Sequence, residues 1–540
     1  MWLALTVLLA ATAAMNLCSL VRTPPPHVDD AWYGSRAWAF IHTGWPFGPL
    51  DAGVLDRFEG YWSYLPWLGS FFQSLPLRIL GMSFFSVRLS SLVFGLLLLV
   101  ALYAIGAAVE GSRTGLLTVV LASFSRPFLY SSHLGRPDVM VAAFGYGAVA
   151  LYLTDRTTGW SLKSVLCGLA VGLSFDLHPN DSLIYGPVLV GLYLYDYRWS
   201  LLRTRRFWGF VAGALAGLAF CFLMHVVRYP RTYLAMTGLI AGTSRLPPIL
   251  ELNPSVWCKS FLDTIALLNH FGGIRWLGTG LIIVFLVHKP SAGTRKAFVL
   301  ALGLTLVFAA LFRHKHSYHT ILLSPAMDLL LAIGLTRLVR VLAEAASLRR
   351  RSAMVAFILP LALLSLLLIV EGAFTLVLLR QDPMAEYTPT LERIRQTVPP
   401  GHSIMGPQTF WFALPGETYL SWENLVYYQR YAPGSTLTDA LWALHPDYFI
   451  IDDVMATFAI ADDKSRLTSY GQVLHLPKAE LEGFLARQAQ QVDTIHTQTF
   501  GAIHIYRIHW DREAERVAGW QTGKSEITPS TRAGAECGRE

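Results

Sequence analysis

Apolar residues gather in long unbroken runs through the first 380 positions of the chain and thin out afterwards. A helix needs ~20 predominantly apolar residues to cross a bilayer. Runs of that order predict eleven spans, at 3–21, 87–109, 115–131, 138–154, 164–178, 181–196, 207–227, 272–288, 297–312, 319–340 and 353–379. The fifth and sixth are short and flank the stretch SFDLHPND, which suits tilted or partly re-entrant segments. Beyond 380 the pattern shortens. Helix-like stretches at 387–398 and 435–444 alternate with β-branched or aromatic runs at 403–405, 448–451 and 502–508. PPG at 399–401 and HPD at 445–447 mark turns. The pattern predicts a polytopic α-helical membrane domain over 1–380 and a soluble α/β domain over 381–512. The polar residues 513–540, rich in Gly, Ser and Thr, read as a disordered tail.

Composition agrees and narrows the class. Hydrophobic residues make up 53% of the chain and charged ones only 15%, with a mean hydropathy of +0.43. A set of soluble domains with several cores is excluded on that count. The net charge of +7 sits mainly as arginines in short loops, so it reads as topology and not as nucleic-acid binding. With the amino terminus inside, the cytoplasmic loops carry Arg113; Arg156 and Lys163; Arg198, Arg203, Arg205 and Arg206; Lys289, Arg295 and Lys296; and Arg337, Arg340, Arg349, Arg350 and Arg351. The first long loop, 22–86, and everything after 380 then face outward. The first run lacks a basic leader and reads as an uncleaved span, not a signal peptide. The five cysteines are scattered without metal-ligand spacing, which argues against a disulfide framework or a zinc site.

Three outer stretches carry candidate chemistry. Residues 27–62 hold two adjacent carboxylates, Asp29 and Asp30, then a helical alternation at 31–43, then Glu59. Acids at an interface, where an aqueous acceptor could meet a lipid-borne substrate, are a candidate site; the alternative is a solvated acidic loop. Residues 125–138 place Arg126, Arg136 and Asp138 at or near membrane depth, where ionisable groups are costly. An Arg136–Asp138 pair that only stabilises a helix start is the alternative there. Residues 313–320, RHKHSYHT, put Arg313, Lys315 and three histidines, His314, His316 and His319, on the outer side against the positive-inside trend. Such a cluster suits a bound phosphate. The histidines leave a metal open, although no carboxylate lies beside them in sequence, and an interfacial anchor is a third reading. Residues 228–262 form a long outer loop that could serve as a lid.

In order along the chain, these motifs resemble the GT-C glycosyltransferases. More narrowly, the chain is similar to the group containing the protein O-mannosyltransferases and the lipid A aminoarabinose transferase (glycosyltransferase families 39 and 83). The residues that carry the resemblance are Asp29-Asp30-Ala31-Trp32-Tyr33, then Phe58-Glu59 ahead of Tyr61-Trp62, then Asp138 opening the fourth span, then Lys315, Tyr318 and Pro325. Two departures stand out. The acidic pair is Asp-Asp where the family usually has Asp-Glu. Glu59 is followed by Gly60-Tyr61-Trp62 where the family usually has Lys-Pro-Pro, so a lysine of the donor site is missing.

The resemblance implies a GT-C fold and transfer of a sugar from a polyprenyl-phosphate donor to a lipid, glycan or protein acceptor on the outer face of the membrane. It implies Asp29, Asp30, Glu59 and Asp138 as the catalytic acids, with Asp29 as general base. Arg126, Arg136, Arg313, Lys315, Tyr318 and His319 are the expected substrate-binding residues. No cofactor is required by such a reaction; a divalent cation is possible in it and unsupported by the sequence. Two other classes remain open: a polytopic transporter, and a non-catalytic assembly protein of the cell envelope. A bacterial plasma membrane is the expected location, with membrane lipids as surroundings and no nucleic-acid partner.

Overall fold

The computed structural model describes residues 1–53, 67–157, 159–228, 230, 233–234, 248–251, 253–272, 274–286, 290–313, 315–348, 353–380, 382–467 and 471–510. The chain is a polytopic α-helical membrane protein with a C-terminal α/β domain. Its membrane part begins with α1 (Trp2–Ser19), followed by α2 (Val28–Thr43), α3 (Trp67–Leu80) and the long α4 (Phe84–Glu110). Next come α5 (Ser112–Ser123), α6 (Arg126–Ser132), α7 (Asp138–Thr154), α8 (Leu162–Leu177), the single turn α9 (Pro179–Ser182), α10 (Tyr185–Tyr197) and α11 (Arg205–Phe222). The remaining spans are α12 (Pro254–Gly272), α13 (Ile274–Leu286), α14 (Ala292–Leu311), α15 (Ser324–Leu348) and α16 (Ala353–Arg380). Trp2–Ser19, Phe84–Glu110, Arg205–Val227 and Ala292–Leu311 are each long and apolar enough to cross a bilayer by themselves.

Three spans differ from the pattern read in sequence, each for a local reason. The run at 115–131 is two helices, because Ser125 caps a new one: its hydroxyl accepts from Phe128 N at 3.2 Å, with Pro127 in the first turn. Where one span at 272–288 was expected, there are two helices, α12 and α13, and α12 starts inside the stretch read as an outer loop. Its apolar face is a narrow stripe, with Ser260, Thr264 and Leu268 buried at four-residue spacing, so no continuous apolar run announces it. The tenth span begins at Ser324, after a 3-10 turn at Ser317–Leu322, and Pro325 lies in its first turn.

Small residues let α8 and α11 pack backbone to backbone. A Cβ on Gly168 would lie 1.9 Å from Phe210 O, and one on Gly213 would lie 2.0 Å from Val165 O. This is the small-residue packing that membrane helices use in place of a hydrophobic driving force.

The C-terminal domain opens with α17 (Pro383–Thr397) and holds a five-stranded sheet ordered β2-β1-β3-β7-β6. The strands are β1 (Ile404–Gly406), β2 (Tyr419–Ser421), β3 (Tyr448–Asp452), β6 (Ala489–Thr497) and β7 (Gly501–Ile508); β1, β2 and β3 run parallel, β7 pairs antiparallel with β3 and β6, and the short β4 (Ile460–Ala461) and β5 (Leu476–Pro477) pair in a separate two-stranded sheet. The helices and strands expected at 387–398, 435–444, 403–405, 448–451 and 502–508 are present within a few residues. Strand β6 was not expected: its sequence AQQVDTIHT is polar and largely exposed, so it lacks the alternation that marks a strand. The predicted tail at 513–540 lies outside the described residues.

The domain is not tethered loosely. One hydrophobic core contains Ala31, Ala37 and Leu50 of the outer loop, Phe84 and Val87 of α4, and Tyr387, Ile394, Phe410, Trp411 and Phe412 of the C-terminal domain. Phe84 packs edge-on against Tyr387 and Phe412, with centroids 5.6 and 5.2 Å apart. Asn424 Nδ2 donates to Ala52 O at 2.9 Å. Helix α2 and residues 49–52 are therefore sandwiched between α4 and the C-terminal domain.

Candidate active site

The site is built on the first turn of α2. His27 caps it: its Nδ1 accepts from Asp29 N at 3.2 Å, while Asp30 Oδ2 accepts from His27 N at 3.0 Å. Carboxylates in a first turn are favoured by the helix dipole. Successive helical residues are rotated by about 100°, so the two neighbours point in different directions.

Asp30 turns inward. It is fully buried and paired with Arg88, Nη2 to Oδ2 at 2.8 Å and Nε to Oδ1 at 3.2 Å. Gly135 N donates to its Oδ1 at 2.6 Å. Arg88 spends its other N–H groups on the carbonyls of Leu20, Pro24 and Pro25. A Cβ at position 135 would lie 2.5 Å from Val87 and 3.0 Å from Asp30 Oδ1, so only glycine allows that approach. Asp30 therefore joins the end of α1, the proline loop, α4 and the 133–137 loop. Asp30 was expected among the catalytic acids; both of its oxygens are held by buried partners.

Asp29 turns outward and keeps about a fifth of its side chain exposed. It pairs with Arg136 and lies 3.1 Å from His27 Nδ1. Arg136 Nε also donates to Asp138 Oδ2 at 2.7 Å, and its guanidinium lies 3.6 Å from the centre of the Tyr318 ring. One guanidinium thus bridges Asp29 and Asp138, which stand more than a hundred positions apart in the chain. Burial alone would raise the Asp29 carboxyl, but Arg136 and His27 hold it well below the usual carboxylate range. The Arg136–Asp138 pair is thus more than a helix-start pair.

Around this centre lie His319, buried, with Nε2 3.7 Å from Asp181 Oδ1, and His178, with Nδ1 3.2 Å from the same oxygen. Lys315 Nζ donates to Ser260 Oγ at 2.7 Å and to Phe312 O at 2.8 Å. Burial pulls Lys315 down to about 8, against the Asp263 charge that favours its protonated form. The C-terminal domain contributes Glu423, a buried carboxyl that accepts from Gln408 Nε2 at 2.9 Å and Tyr427 Oη at 3.2 Å. Burial pushes it up to about 7, and the Asp29 charge adds to the rise.

Of the residues expected from sequence, Asp29, Arg136, Asp138, Tyr318 and His319 come together. Arg126 and Arg313 are engaged by other acids: Arg126 faces Glu371 at 3.7 Å and the Phe374 ring at 3.3 Å, and Arg313 pairs with Glu251. The first pair joins α6 to α16, and the second joins the end of α14 to the 3-10 turn at Pro248–Glu251. Glu59 and His314 lie outside the described residues. Sequence reasoning missed His178, Asp181 and Glu423. The first two had a signal, a His and an Asp at helical i, i+3 spacing between two short spans; Glu423 had none, because only the docking of a remote domain brings it here.

The arrangement offers an ionised, partly exposed carboxylate beside a guanidinium, where the first loop meets the membrane spans. It can take up a proton and steady a phosphate.

Comparison with known proteins places the fold. Residues 65–240, short of half the chain, match the model of the family described as dolichyl-phosphate-mannose-protein mannosyltransferase. Among curated proteins nothing matches. The chain is similar to ArnT from Cupriavidus metallidurans, solved in the apo state and bound to undecaprenyl phosphate: TM-score 0.64 and 16% identity over 93% of this chain and 97% of that one. It is also similar to the Archaeoglobus fulgidus oligosaccharyltransferase AglB, in a complex with an inhibitory peptide and a dolichol-phosphate, with TM-score 0.53 and 12% identity over 93% of this chain and 74% of that one.

Proposed function

We propose, from the GT-C fold that this chain has, that it is a membrane glycosyltransferase moving a sugar from a polyprenyl-phosphate donor to a lipid, glycan or protein acceptor on the outer face of a bacterial plasma membrane. The observation that carries the reading is Asp29, partly exposed and bridged by Arg136 to Asp138. The structural relatives solved with undecaprenyl phosphate and with a dolichol-phosphate support the class of donor.

In this reading the acceptor hydroxyl oxygen attacks the anomeric carbon of the donor sugar and forms the new glycosidic bond. The bond from that carbon to the phosphate oxygen breaks, and its electron pair leaves on the polyprenyl phosphate. The acceptor proton passes to Asp29. A single in-line displacement inverts the anomeric centre. With Arg136 held between two carboxylates Asp29 is a weak base. A donor phosphate that shares the guanidinium relieves Asp29 of part of its counter-charge and raises its basicity when the sugar arrives. Lys315 steadies the leaving phosphate in the same reading. Arg136 supplies from the second loop a cation close to the acids, in a chain whose first loop lacks the lysine after Glu59.

The test is chemical. Purified full-length chain, given polyprenyl-monophosphate sugars and a cell-envelope extract, releases polyprenyl phosphate with gain of the sugar by an envelope lipid, glycan or protein, detected by mass analysis. Absence of release with every donor, together with unchanged envelope lipids and glycans on deletion of the gene, contradicts it.

A further inference from the structure

Asp181 lies at the centre of a second arrangement. Its side chain is wholly buried, and neither carboxylate oxygen meets an aligned hydrogen-bond donor. Such a group is costly unless something compensates it. His178 and Asp138 come within hydrogen-bonding reach of Asp181, but without an aligned donor. His178 Nδ1 is 3.2 Å away and is itself without an aligned partner; His319 Nε2 is 3.7 Å away. One donor atom each from Asp138, Asp181 and His319 lies within 4.8 Å of the others, and all three side chains are buried. The His178 contact is at hydrogen-bond distance and the His319 contact beyond it; the three-residue group is close enough for a shared ion after a small contraction.

We infer that Asp138, Asp181 and His319, with His178 beside them, bind one first-row divalent cation. Mixed carboxylate and imidazole donors suit Zn²⁺ or Mn²⁺. Asp29, Asp138 and Asp181 are three carboxylates around one guanidinium, Arg136, with the imidazoles of His178 and His319 facing Asp181. Asp138 can serve both partners, since an ionised carboxylate has about four lone-pair sites and Arg136 takes one on each oxygen, at 2.7 and 3.4 Å. The three protein ligands come from the start of α7, from α9 and from the 3-10 turn before α15, so the ion also locks three outer connections together. Ligands drawn from separate loops leave coordination positions for solvent or for a phosphate oxygen. A role of the ion in polarising the donor phosphate rests on the transfer reading above; its binding does not.

A second grouping, Asp176, Cys221 and His225, also has ligand-like spacing. It differs in one respect: Asp176 is already satisfied, by His225 Nε2 at 2.5 Å and Leu68 N at 2.6 Å. It therefore makes the natural control.

The experiment uses full-length protein in detergent, stripped with chelator and titrated with Mn²⁺ by electron paramagnetic resonance, with Zn²⁺ as competitor. The expected result is one saturable Mn²⁺ site that Zn²⁺ displaces. Asp181→Asn and His319→Ala each weaken it at least about tenfold, and Cys221→Ala leaves it intact. Electron spin-echo spectra of the Cys221→Ala protein then show nitrogen coupling from an imidazole, which needs no variant of the site to fold. No saturable site in the wild type overturns the inference. So does binding that survives both ligand substitutions, binding lost in Cys221→Ala, or a spectrum without nitrogen coupling. Sugar release is read separately: bound metal with no transfer from any donor sinks the transfer reading and leaves the metal site standing.

Discussion

At the scale of single residues, Asp29 and Asp30 differ by one step of a helix and by their whole electrostatic surroundings. Asp30 balances Arg88 where neither touches water, and removing one partner of a buried pair strands the other. Asp30→Asn is therefore expected to cost about 3–5 kcal/mol, read as a lower unfolding temperature in detergent; an unchanged midpoint contradicts the pairing. Arg88 was visible in the sequence as a charge near a span end, but its partner lay 58 positions away and nothing local pointed to it. Asp29 and Asp138 were legible as candidates from position alone, whereas the Arg136 bridge between them needed the fold. Lys315 makes the second residue-scale prediction. Lys315→Ala weakens binding of a polyprenyl-phosphate sugar by about 1.5–3 kcal/mol. Because its ammonium is held down to about 8, wild-type donor affinity should also fall as pH rises through that value. A flat pH profile and an unchanged dissociation constant return Lys315 to a helix-anchoring role.

At the scale of elements, the C-terminal domain closes the site by packing on α2. Patterning gave the helices and central strands of that domain, because their apolar runs match their periods. It could not give the docking, which depends on rings such as Phe84 and Phe412 meeting across some 330 positions. Glu423 carries the consequence. Its carboxyl is raised in the folded chain to about 7 from the ordinary 4.5, so the folded state holds the proton more tightly than the unfolded one. Stability from this group is greatest below the ordinary value and falls as pH rises between 4.5 and about 7. The loss is at most about 3 kcal/mol across that window. Glu423→Gln removes the titration, so its unfolding temperature should vary less than the wild type's between pH 5 and 8. Parallel pH dependence in the two proteins would mean that Glu423 is not buried against the site.

At the scale of the whole molecule, the proposal stands on Asp29 and the C-terminal domain sharing one face of the membrane. The basic clusters at Arg198–Arg206 and at Arg337–Arg351 predict that face to be the outer one. A reporter fused after Arg380 should be active only outside; cytoplasmic activity would reverse the sidedness of the site. The membrane class was legible at this scale, since runs of apolar residues are a property of the chain itself. Breaks such as the one at Ser125 were harder, because a cap is a local hydrogen bond inside an otherwise apolar run. The central claim is that Asp29 takes the acceptor proton. Asp29→Asn keeps the shape and removes the basicity. The measurement is sugar transfer from a polyprenyl-phosphate donor at saturation, by folded wild-type and Asp29→Asn protein. The expected result is a loss of about 10²–10⁴-fold in turnover with donor affinity nearly kept; near-full turnover of Asp29→Asn would contradict the account.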